Sequence, residues 1–329
     1  MNIYDIAKKA NVSIATVSRV LNTKGNVSQK TKERVLAVIE ELGYTPNIFA
    51  RGLGLNTIKM IGVMCSTVDD IYFAKAISII ENELRQHGYD VILYCTGNHL
   101  EDKKKYLELL MSKKVDSIIF IGSTFKEQWD NSHLEKAANE IPLIFINSLV
   151  EFPNTYCFVC DDEAALTTSV DTLVAKGHKK IIYLYESETS SGLAKLQGFK
   201  KGCLKHDLPF NANSLLKCER TLESSYQIIS HALQERPSFT AILTSDDLIA
   251  AGALNAVRDH GLGIPHDMAI IGFNNSLFSQ CTFPRLTTVD SKVELLCSFA
   301  VSSLIKLLDG HKVSNKLVVS PELVIRQTL

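Results

Sequence analysis

Ile3-Tyr4-Asp5-Ile6-Ala7-Lys8-Lys9-Ala10-Asn11-Val12-Ser13-Ile14-Ala15-Thr16-Val17-Ser18-Arg19-Val20-Leu21-Asn22 holds two short amphipathic patterns separated by one tight turn. Ile3, Ile6, Ala7 and Ala10 recur at helical spacing, so they share one face of a helix. Asn2 stands where it can cap that helix, with Asp5 three residues on to return the bond. Asn11 ends the run, and Ser13 can cap a second helix whose apolar side is Val17, Val20 and Leu21. Asn22 to Asn26 form a polar turn containing Gly25. Ser28 can cap a third helix with Val35, Leu36, Val38, Ile39 and Leu42 on its buried side and Gly43 as its stop. These are the proportions of a helix-turn-helix, whose second helix enters a DNA major groove about 12 Å wide by its N-terminus. Periodicity alone leaves a generic three-helix bundle equally open.

Charge separates this head from the rest. Residues 1–59 carry nine Lys and Arg against four Asp and Glu, a net +5, in a chain of net charge −1, so the remainder is −6. A small basic head on a mildly acidic body suits a polyanionic partner. The chain has 329 residues, 46% hydrophobic and 22% charged. That composition excludes a disordered, collagen-like or disulfide-scaffold chain. No apolar run approaches the ~20 residues that span a bilayer, and residues 1–5 lack a basic region followed by an apolar one, so no signal peptide is expected. The eight cysteines (65, 95, 157, 160, 203, 218, 281, 297) are scattered, several in apolar runs. They read as reduced thiols of a cytoplasmic protein, most of them packing groups.

Beyond the head, Tyr44-Thr45-Pro46 interrupts helix, and residues 47–53 have the length of about two helical turns with almost no apolar face. A helix so short is marginal alone, so this is a linker that folds when something holds it. From Ile58 onward short apolar strands alternate with amphipathic helices. Strands are expected at 58–65, 90–95, 116–121, 143–146, 157–160, 180–185, 214–218, 240–244, 269–273, 287–290 and 322–326. Helices are expected at 72–87, 101–113, 162–176, 192–206, 223–235, 247–260 and 292–309. Such alternation implies parallel sheets covered on both faces, which bind ligands at the carboxyl ends of their strands. The strands are too many for one ordinary sheet, so two similar lobes are expected.

Several motifs carry a family resemblance. Asp5-Ile6-Ala7, Val12-Ser13-x-Ala15-Thr16-Val17-Ser18-Arg19-Val20-Leu21-Asn22 and Gly43-Tyr44-x-Pro46-Asn47-x-x-Ala50-Arg51-x-Leu53 resemble the N-terminal signature of the LacI/GalR regulators. Gly177-His178-Lys179-Lys180-Ile181, Gly198-Phe199, Asp246-Asp247-x-x-Ala250, Ile271-Gly272-Phe273-Asn274-Asn275 and Pro284-x-Leu286-Thr287 resemble the family's core motifs. The likeness spans essentially the whole chain and runs toward sugar-responsive, maltose-operon-type repressors. It implies an α/β chain with a three-helix helix-turn-helix head and a two-lobed, periplasmic-binding-protein-like core of doubly wound parallel sheets. The expected division is a DNA-binding head at 1–46, a hinge at 47–57 and an effector-binding, dimerising core at 58–329. The core's lobes would comprise about 58–160 with 290–319, and 161–289 with 320–329.

The resemblance also implies roles. Ile14, Ala15 and Arg19 fall where the family reads base edges, with Thr16 beside them. Arg19 can give two hydrogen bonds to a guanine edge, worth roughly 1–3 kcal/mol of discrimination, whereas Ile14 and Ala15 offer apolar contact only. Ser13, Ser18, Asn22, Tyr44 and Asn47 are candidate phosphate contacts, though capping or helix packing would account for each equally well. In the matched hinge, Ala50 and Arg51 precede Leu53, which corresponds to a leucine wedge driven into the minor groove. Independently, Leu53 is the lone bulky apolar residue between Gly52 and Gly54 in a basic linker. For the effector the resemblance implies Tyr72, Phe73, Ser123, Asp161, Thr189, Ser191, Lys195, Arg220, Asp247 and Asn274. Helix capping or surface polarity is the competing reading for each. Lys195 stands where many relatives carry Arg, so a bidentate partner is less expected, and Asn274 replaces a common acid, removing a charge that often holds sugar hydroxyls; a neutral or polyhydroxylated ligand is still the expectation.

Other signals carry little. Gly52-Leu53-Gly54 lacks a third glycine and a preceding strand. Cys157 and Cys160 have CxxC spacing in a strand-like run, which sets them on opposite faces. His260 and His266 do not share a helix face. Trp129 either flanks the pocket mouth or covers a helix. No catalytic residue, metal or cofactor is expected. No leucine heptad follows the last strand, so a symmetric homodimer on a double-stranded, pseudo-palindromic operator is expected, with no membrane partner. The competing reading is a cytoplasmic small-molecule-binding protein or enzyme with an incidental helical head. The wedge reading predicts that Leu53→Ala weakens binding to the specific operator while nonspecific DNA binding, which is mostly phosphate contact, stays nearly unchanged. Equal losses on the two DNAs in a titration at fixed salt would remove Leu53 from that role.

Overall fold

The computed structural model describes residues 2–21, 27–43, 57–234 and 239–329. Two compact units emerge, residues 1–60 with 114–116, and residues 61–113 with 117–329.

The first unit contains α1 (Ile3–Lys9), α2 (Ile14–Leu21) and α3 (Gln29–Glu41). The Asn2 side chain accepts from the Tyr4 and Asp5 amides, and the Asp5 carboxylate accepts the Asn2 amide at 2.9 Å. Asn11 takes a left-handed φ of 50°, a conformation asparagine tolerates better than most residues. That turn lets α2 fold back on α1. Ile6, Ala7, Ala10, Val17, Val20, Val35 and Val38 form the core between the helices. Leu36, expected on the buried side, is 45% exposed. Val35, Val38 and Leu42 already fill one face at spacings of three and four, and a neighbour one step along is turned about 100° away. Where the chain enters the following strand, the Asp116 carboxylate accepts from the Thr57 hydroxyl at 2.8 Å and the Met60 amide at 3.1 Å.

The second unit is built on two six-stranded sheets. In chain order its elements begin β1 (Met60–Cys65), α4 (Ile71–Gln86), β2 (Asp90–Cys95), α5 (Leu100–Ser112), β3 (Ser117–Ile121), α6 (Ser132–Ala138), β4 (Leu143–Ile146) and β5 (Thr155–Cys160). There follow α7 (Asp162–Ala175), β6 (Ile181–Tyr185), α8 (Ser190–Lys205), β7 (Leu215–Lys217), α9 (Leu222–Gln234), β8 (Ala241–Thr244) and α10 (Asp247–Asp259). The chain ends with β9 (Ala269–Phe273), α11 (Leu277–Cys281), β10 (Thr287–Asp290), α12 (Val293–Leu308), β11 (Lys316–Val319) and β12 (Glu322–Val324). The sheet orders are β11-β5-β4-β3-β1-β2 and β12-β10-β9-β8-β6-β7.

Central strands such as β3 and β4 are buried at every residue, as parallel strands covered on both faces must be. α4 and α12 pack on one side of the first sheet against Ile61, Val63, Ile119 and Ile144. α7 and α8 cover one face of the second sheet, and α9 and α10 the other.

Three elements were not legible in the sequence: α6, α11 and β11. All are short, and β11, only four residues long, becomes a strand by parallel pairing with β5. β12 pairs antiparallel with β10. Only residues 320–321 separate β11 from β12. A chain leaving one parallel sheet at its carboxyl edge enters the facing sheet from that sheet's carboxyl edge, so β12 must run against its neighbours.

α7 and α8 approach closely through glycines. A Cβ at Gly198 would lie 2.2 Å from the Glu163 carbonyl oxygen, and one at Gly202 2.7 Å from Val170 Cβ. Alanine usually stabilises a helix interior by about 1 kcal/mol over glycine. Here the obstacle is backbone, which cannot swing aside. Gly198→Ala is therefore expected to destabilise by about 1–3 kcal/mol, read as a lower urea midpoint; an unchanged or higher midpoint would contradict the packing described.

Candidate functional site

Two surfaces concentrate the residues expected to act. The first is the outward face of α2. Ser13, Ile14, Ala15 and Arg19 are exposed, Thr16 and Ser18 are partly exposed, and Val17 and Val20 are buried. Positions 14, 15, 18 and 19 thus form one solvent-facing stripe while 17 and 20 anchor the helix. Ile14 is 41% exposed, an apolar side chain left uncovered at the helix N-terminus. The Ser13 hydroxyl accepts the Thr16 amide and lies 2.9 Å from the Thr16 hydroxyl, so Ser13 also caps the helix. Asn22, Tyr44, Asn47, Ala50, Arg51 and Leu53 lie outside the described residues.

The second is a cleft of about 990 Å³ at the carboxyl ends of strands from both sheets. Tyr72, Phe73, Ser123, Thr189, Ser191, Lys195, Arg220 and Asn274 line it. Asp161 and Asp247 do not. Asp161 is exposed and caps α7, accepting the Ala164 amide at 2.9 Å. Asp247 is fully buried, accepting from the Thr288 hydroxyl at 2.5 Å and from the Ser276 amide and hydroxyl at 2.6 and 2.8 Å. Its place at the cleft is taken by Asp246, one residue earlier and turned toward the cavity. Trp129 is 89% exposed and lies off the cleft.

Arg220 is the centre of the cleft's electrostatics. One guanidinium nitrogen lies 2.9 Å from Asp70 Oδ2 and the other 2.9 Å from Asp246 Oδ2. Each carboxylate also caps a helix: Asp70 Oδ1 accepts the Tyr72 amide at the start of α4, and Asp246 Oδ1 the Leu248 amide at the start of α10. The arginine therefore ties a helix of the first sheet to a helix of the second. Burial holds the Asp70 carboxyl above the usual carboxylate range, against the pull of Arg220. For Arg220, burial works to lower its affinity for the proton, but Asp246 and Asp70 outweigh it and raise it. A second bond across the cleft runs from the Ser123 hydroxyl to the Thr189 hydroxyl at 2.8 Å.

Two expected ligand groups are engaged within the protein. Lys195 Nζ donates to the Ser245 carbonyl at 3.0 Å and lies 3.8 Å from the centre of the Phe273 ring, a cation–π arrangement. Asn274 donates to Asp246 at 3.1 Å and accepts from Ser291 at 3.1 Å. By contrast the Tyr72 hydroxyl is buried with no hydrogen-bond partner, a state costing about 1–3 kcal/mol. Asp70, Asp246 and Glu186 were absent from the residues expected here. Asp70 had a readable signal as the acid before an amphipathic helix, and Glu186 as the residue after β6.

The lining as a whole is rich in hydroxyl and amide groups, nine Ser and Thr with four Asn and Gln, and holds six carboxylates against four cations. It can hydrogen-bond a polar neutral molecule from many sides, with Tyr72 and Phe73 as apolar surface. Among the described residues no group of three or more His, Cys, Asp or Glu could hold a metal ion.

Comparison with known proteins bears on both surfaces. Residues 2–47 match the bacterial regulatory proteins of the lacI family, and residues 170–329 match the periplasmic binding protein-like domain. An HTH-type transcriptional regulator of Lachnoclostridium phytofermentans is 46% identical over 330 aligned positions, spanning 100% of this chain and 99% of its own length. Catabolite control protein A of Priestia megaterium is 30% identical, spanning 98% of this chain and 96% of its own. The lac repressor dimer bound to operator and the anti-inducer ONPF superposes with a TM-score of 0.87 at 28% identity, over 100% of this chain and 98% of its own.

The buried Asp247 yields a pH prediction. Burial raises its carboxyl from 3.8 to about 7, against the hydrogen bonds from Thr288 and Ser276. A pKa raised by folding means that Asp247's contribution to stability is fullest below about pH 4 and is lost as pH rises through about 7. Asp70 and Asp162 are raised too, burial being the largest cause, and act with the same sign. Asp247→Asn is expected to shift the change in urea midpoint from pH 5 to 7 in the upward direction relative to wild type, whatever its absolute stability. An unchanged slope would mean that Asp247 is ionised throughout that range.

Proposed function

The chain belongs to the LacI family of bacterial regulatory proteins, and from that membership we propose how its two surfaces work together. It is a sequence-specific DNA-binding transcriptional regulator whose operator affinity is set by a small-molecule effector in the cleft. The relatives are transcriptional regulators rather than enzymes, and we assign this chain the same non-enzymatic role, as a repressor. A regulator of chromosomal DNA works in the cytoplasm; no helix among the described residues is long and apolar enough to cross a membrane.

In this reading the head reads DNA with the exposed stripe of α2, Arg19 contacting a base edge and Ile14 and Ala15 apolar groove surface. Residues 47–57 act as the hinge and Leu53 as its wedge. The partner is a second copy, the pair matching a pseudo-palindromic operator. The effector occupies the cleft against Tyr72, Phe73, Ser123, Thr189, Ser191, Lys195, Arg220 and Asn274, with Asp70, Asp246 and Glu186 added. Asp161 and Asp247 leave the list as a helix cap and a buried support.

The observation that carries the effector assignment is the bonding across the cleft. Arg220 to Asp70 and Ser123 to Thr189 join the two sides directly. A ligand that hydrogen-bonds these groups competes with the bridges and shifts the balance between arrangements of the lobes. A 100-fold preference for one arrangement is about 2.7 kcal/mol, within the range of allosteric coupling. The hydroxyl-rich, net-acidic lining supports a neutral sugar over an anion.

The test combines DNA and ligand. The full chain is selected against random duplex, and neutral mono- and disaccharides, sugar phosphates and nucleobases are screened by thermal shift. A palindromic site, a rise in unfolding temperature with a neutral sugar, and a change in operator affinity in that sugar's presence are expected. A chain without preference for any duplex over random DNA would end the regulator reading. A shift with sugar phosphates alone would end the neutral-sugar reading.

A further inference from the structure

The eight cysteines include one close pair that the DNA-binding and effector surfaces do not use. Cys65 Sγ and Cys95 Sγ are 3.8 Å apart. They end β1 and β2, neighbouring strands of the first sheet, and the Thr96 amide donates to the Cys65 carbonyl at 2.9 Å, holding the two strand ends together. Strands in a sheet lie about 4.7–4.9 Å apart, inside the 4.4–6.8 Å between α-carbons that a disulfide spans. Side-chain rotation alone can therefore bring the sulfurs to the roughly 2.05 Å of an S–S bond. The two thiols are unequal in access: Cys95 is exposed and Cys65 is wholly buried.

We propose that Cys65 and Cys95 form a dithiol–disulfide pair oxidised by hydroperoxides, with Cys95 the thiol that meets the oxidant and Cys65 the one that resolves it. In the first step the Cys95 thiolate attacks a peroxide oxygen. The O–O bond breaks, Cys95 becomes a sulfenic acid, and the departing alkoxide or hydroxide takes a proton. In the second step the Cys65 sulfur attacks the Cys95 sulfur. The S–O bond breaks, and the Cys65 proton leaves with the hydroxide as water. Two thiols and one hydroperoxide thus give one disulfide, one water and one alcohol, or a second water when the oxidant is hydrogen peroxide. Burial, with Cys95 beside it, pushes the Cys65 thiol up to about 12. It therefore stays protonated at neutral pH and serves as the second participant, never the first.

The bond would sit directly under the cleft rim. Ser66 and Thr67 follow Cys65, Asn98 lies three residues past Cys95, and all three line the cavity. Oxidation ties the two rim loops to each other covalently.

The test is a peptide map of the full chain, reduced and then exposed to stoichiometric hydrogen peroxide under native conditions. Trypsin leaves Cys65 in peptide 60–75 and Cys95 in peptide 86–103, each with a single cysteine. The expected result is a linked pair of these peptides two hydrogens lighter than their sum, formed equally in Cys281→Ser, which lacks the other exposed thiol. Cys65→Ser is expected to accumulate a Cys95 sulfenic acid trapped by dimedone, and Cys95→Ser to leave Cys65 reduced. Recovery of the wild-type peptides unlinked, with Cys95 either alkylated or carried to the sulfinic acid, overturns the proposal. The wild-type map decides this even if a variant folds poorly.

Discussion

A single guanidinium, that of Arg220, lies between two carboxylates that each begin a helix. Asp70 caps α4 on the first sheet and Asp246 caps α10 on the second. A helix N-terminus carries partial positive charge and stabilises a carboxylate placed there. Two such carboxylates brought face to face would repel across the cleft, and a cation bonded to both removes that conflict. The arrangement exists because parallel strands send all their carboxyl ends, and hence the following helix N-termini, to the same edge of each sheet. The sheets contribute the topology; Arg220 makes the two edges compatible in this arrangement.

Two further cations of the cleft follow the same logic of internally satisfied charge, while Lys126 lines it from an exposed position. Lys103, 4% exposed, donates to the Thr124 carbonyl and Glu127, and Lys195 is held by a carbonyl and an aromatic face. Buried cations must be paired or hydrogen-bonded, and once paired they are poor anchors for an incoming anion. The polar groups left for a ligand are chiefly hydroxyls and amides. The cleft therefore differs in kind from one built around a free arginine and a free acid, the pair the family resemblance would lead one to expect.

The head obeys a different constraint. It is small, so its core is a handful of aliphatic side chains, and its stability rests heavily on caps and on the turn at Asn11. Those same devices leave α2 with four neighbouring positions facing solvent. A short helix pinned by its opposite face is a rigid carrier for side chains aimed at a groove, which is how DNA readers of this kind place their base contacts.

The sequence by itself determined what depends on near neighbours. The Asn2–Asp5 capping box, the Ser13 and Ser28 caps, the turn at Asn11, the three-helix head and the alternation of strands and helices were all readable, because each rests on residues within about four positions of one another. Eight of the ten expected cleft residues also line the cavity, because strand ends in parallel sheets converge. Tertiary structure decided the rest. It chose Asp246 over Asp247 for the cleft, since Asp246 is the extended N-cap and Asp247 the first helical residue, and only packing against β9 and β10 fixes which one turns inward. It left Asp161 as the cap of α7, and Leu36 in solvent because Val35, Val38 and Leu42 already fill the buried face of α3. It made a strand of Lys316–Val319, because an edge strand takes its conformation from the partner it meets, and reversed Glu322–Val324, because the short connection enters the second sheet from its carboxyl edge. And it joined Asp70, Arg220 and Asp246, far apart in the chain, which no local pattern could reveal because their proximity exists only once both sheets have folded.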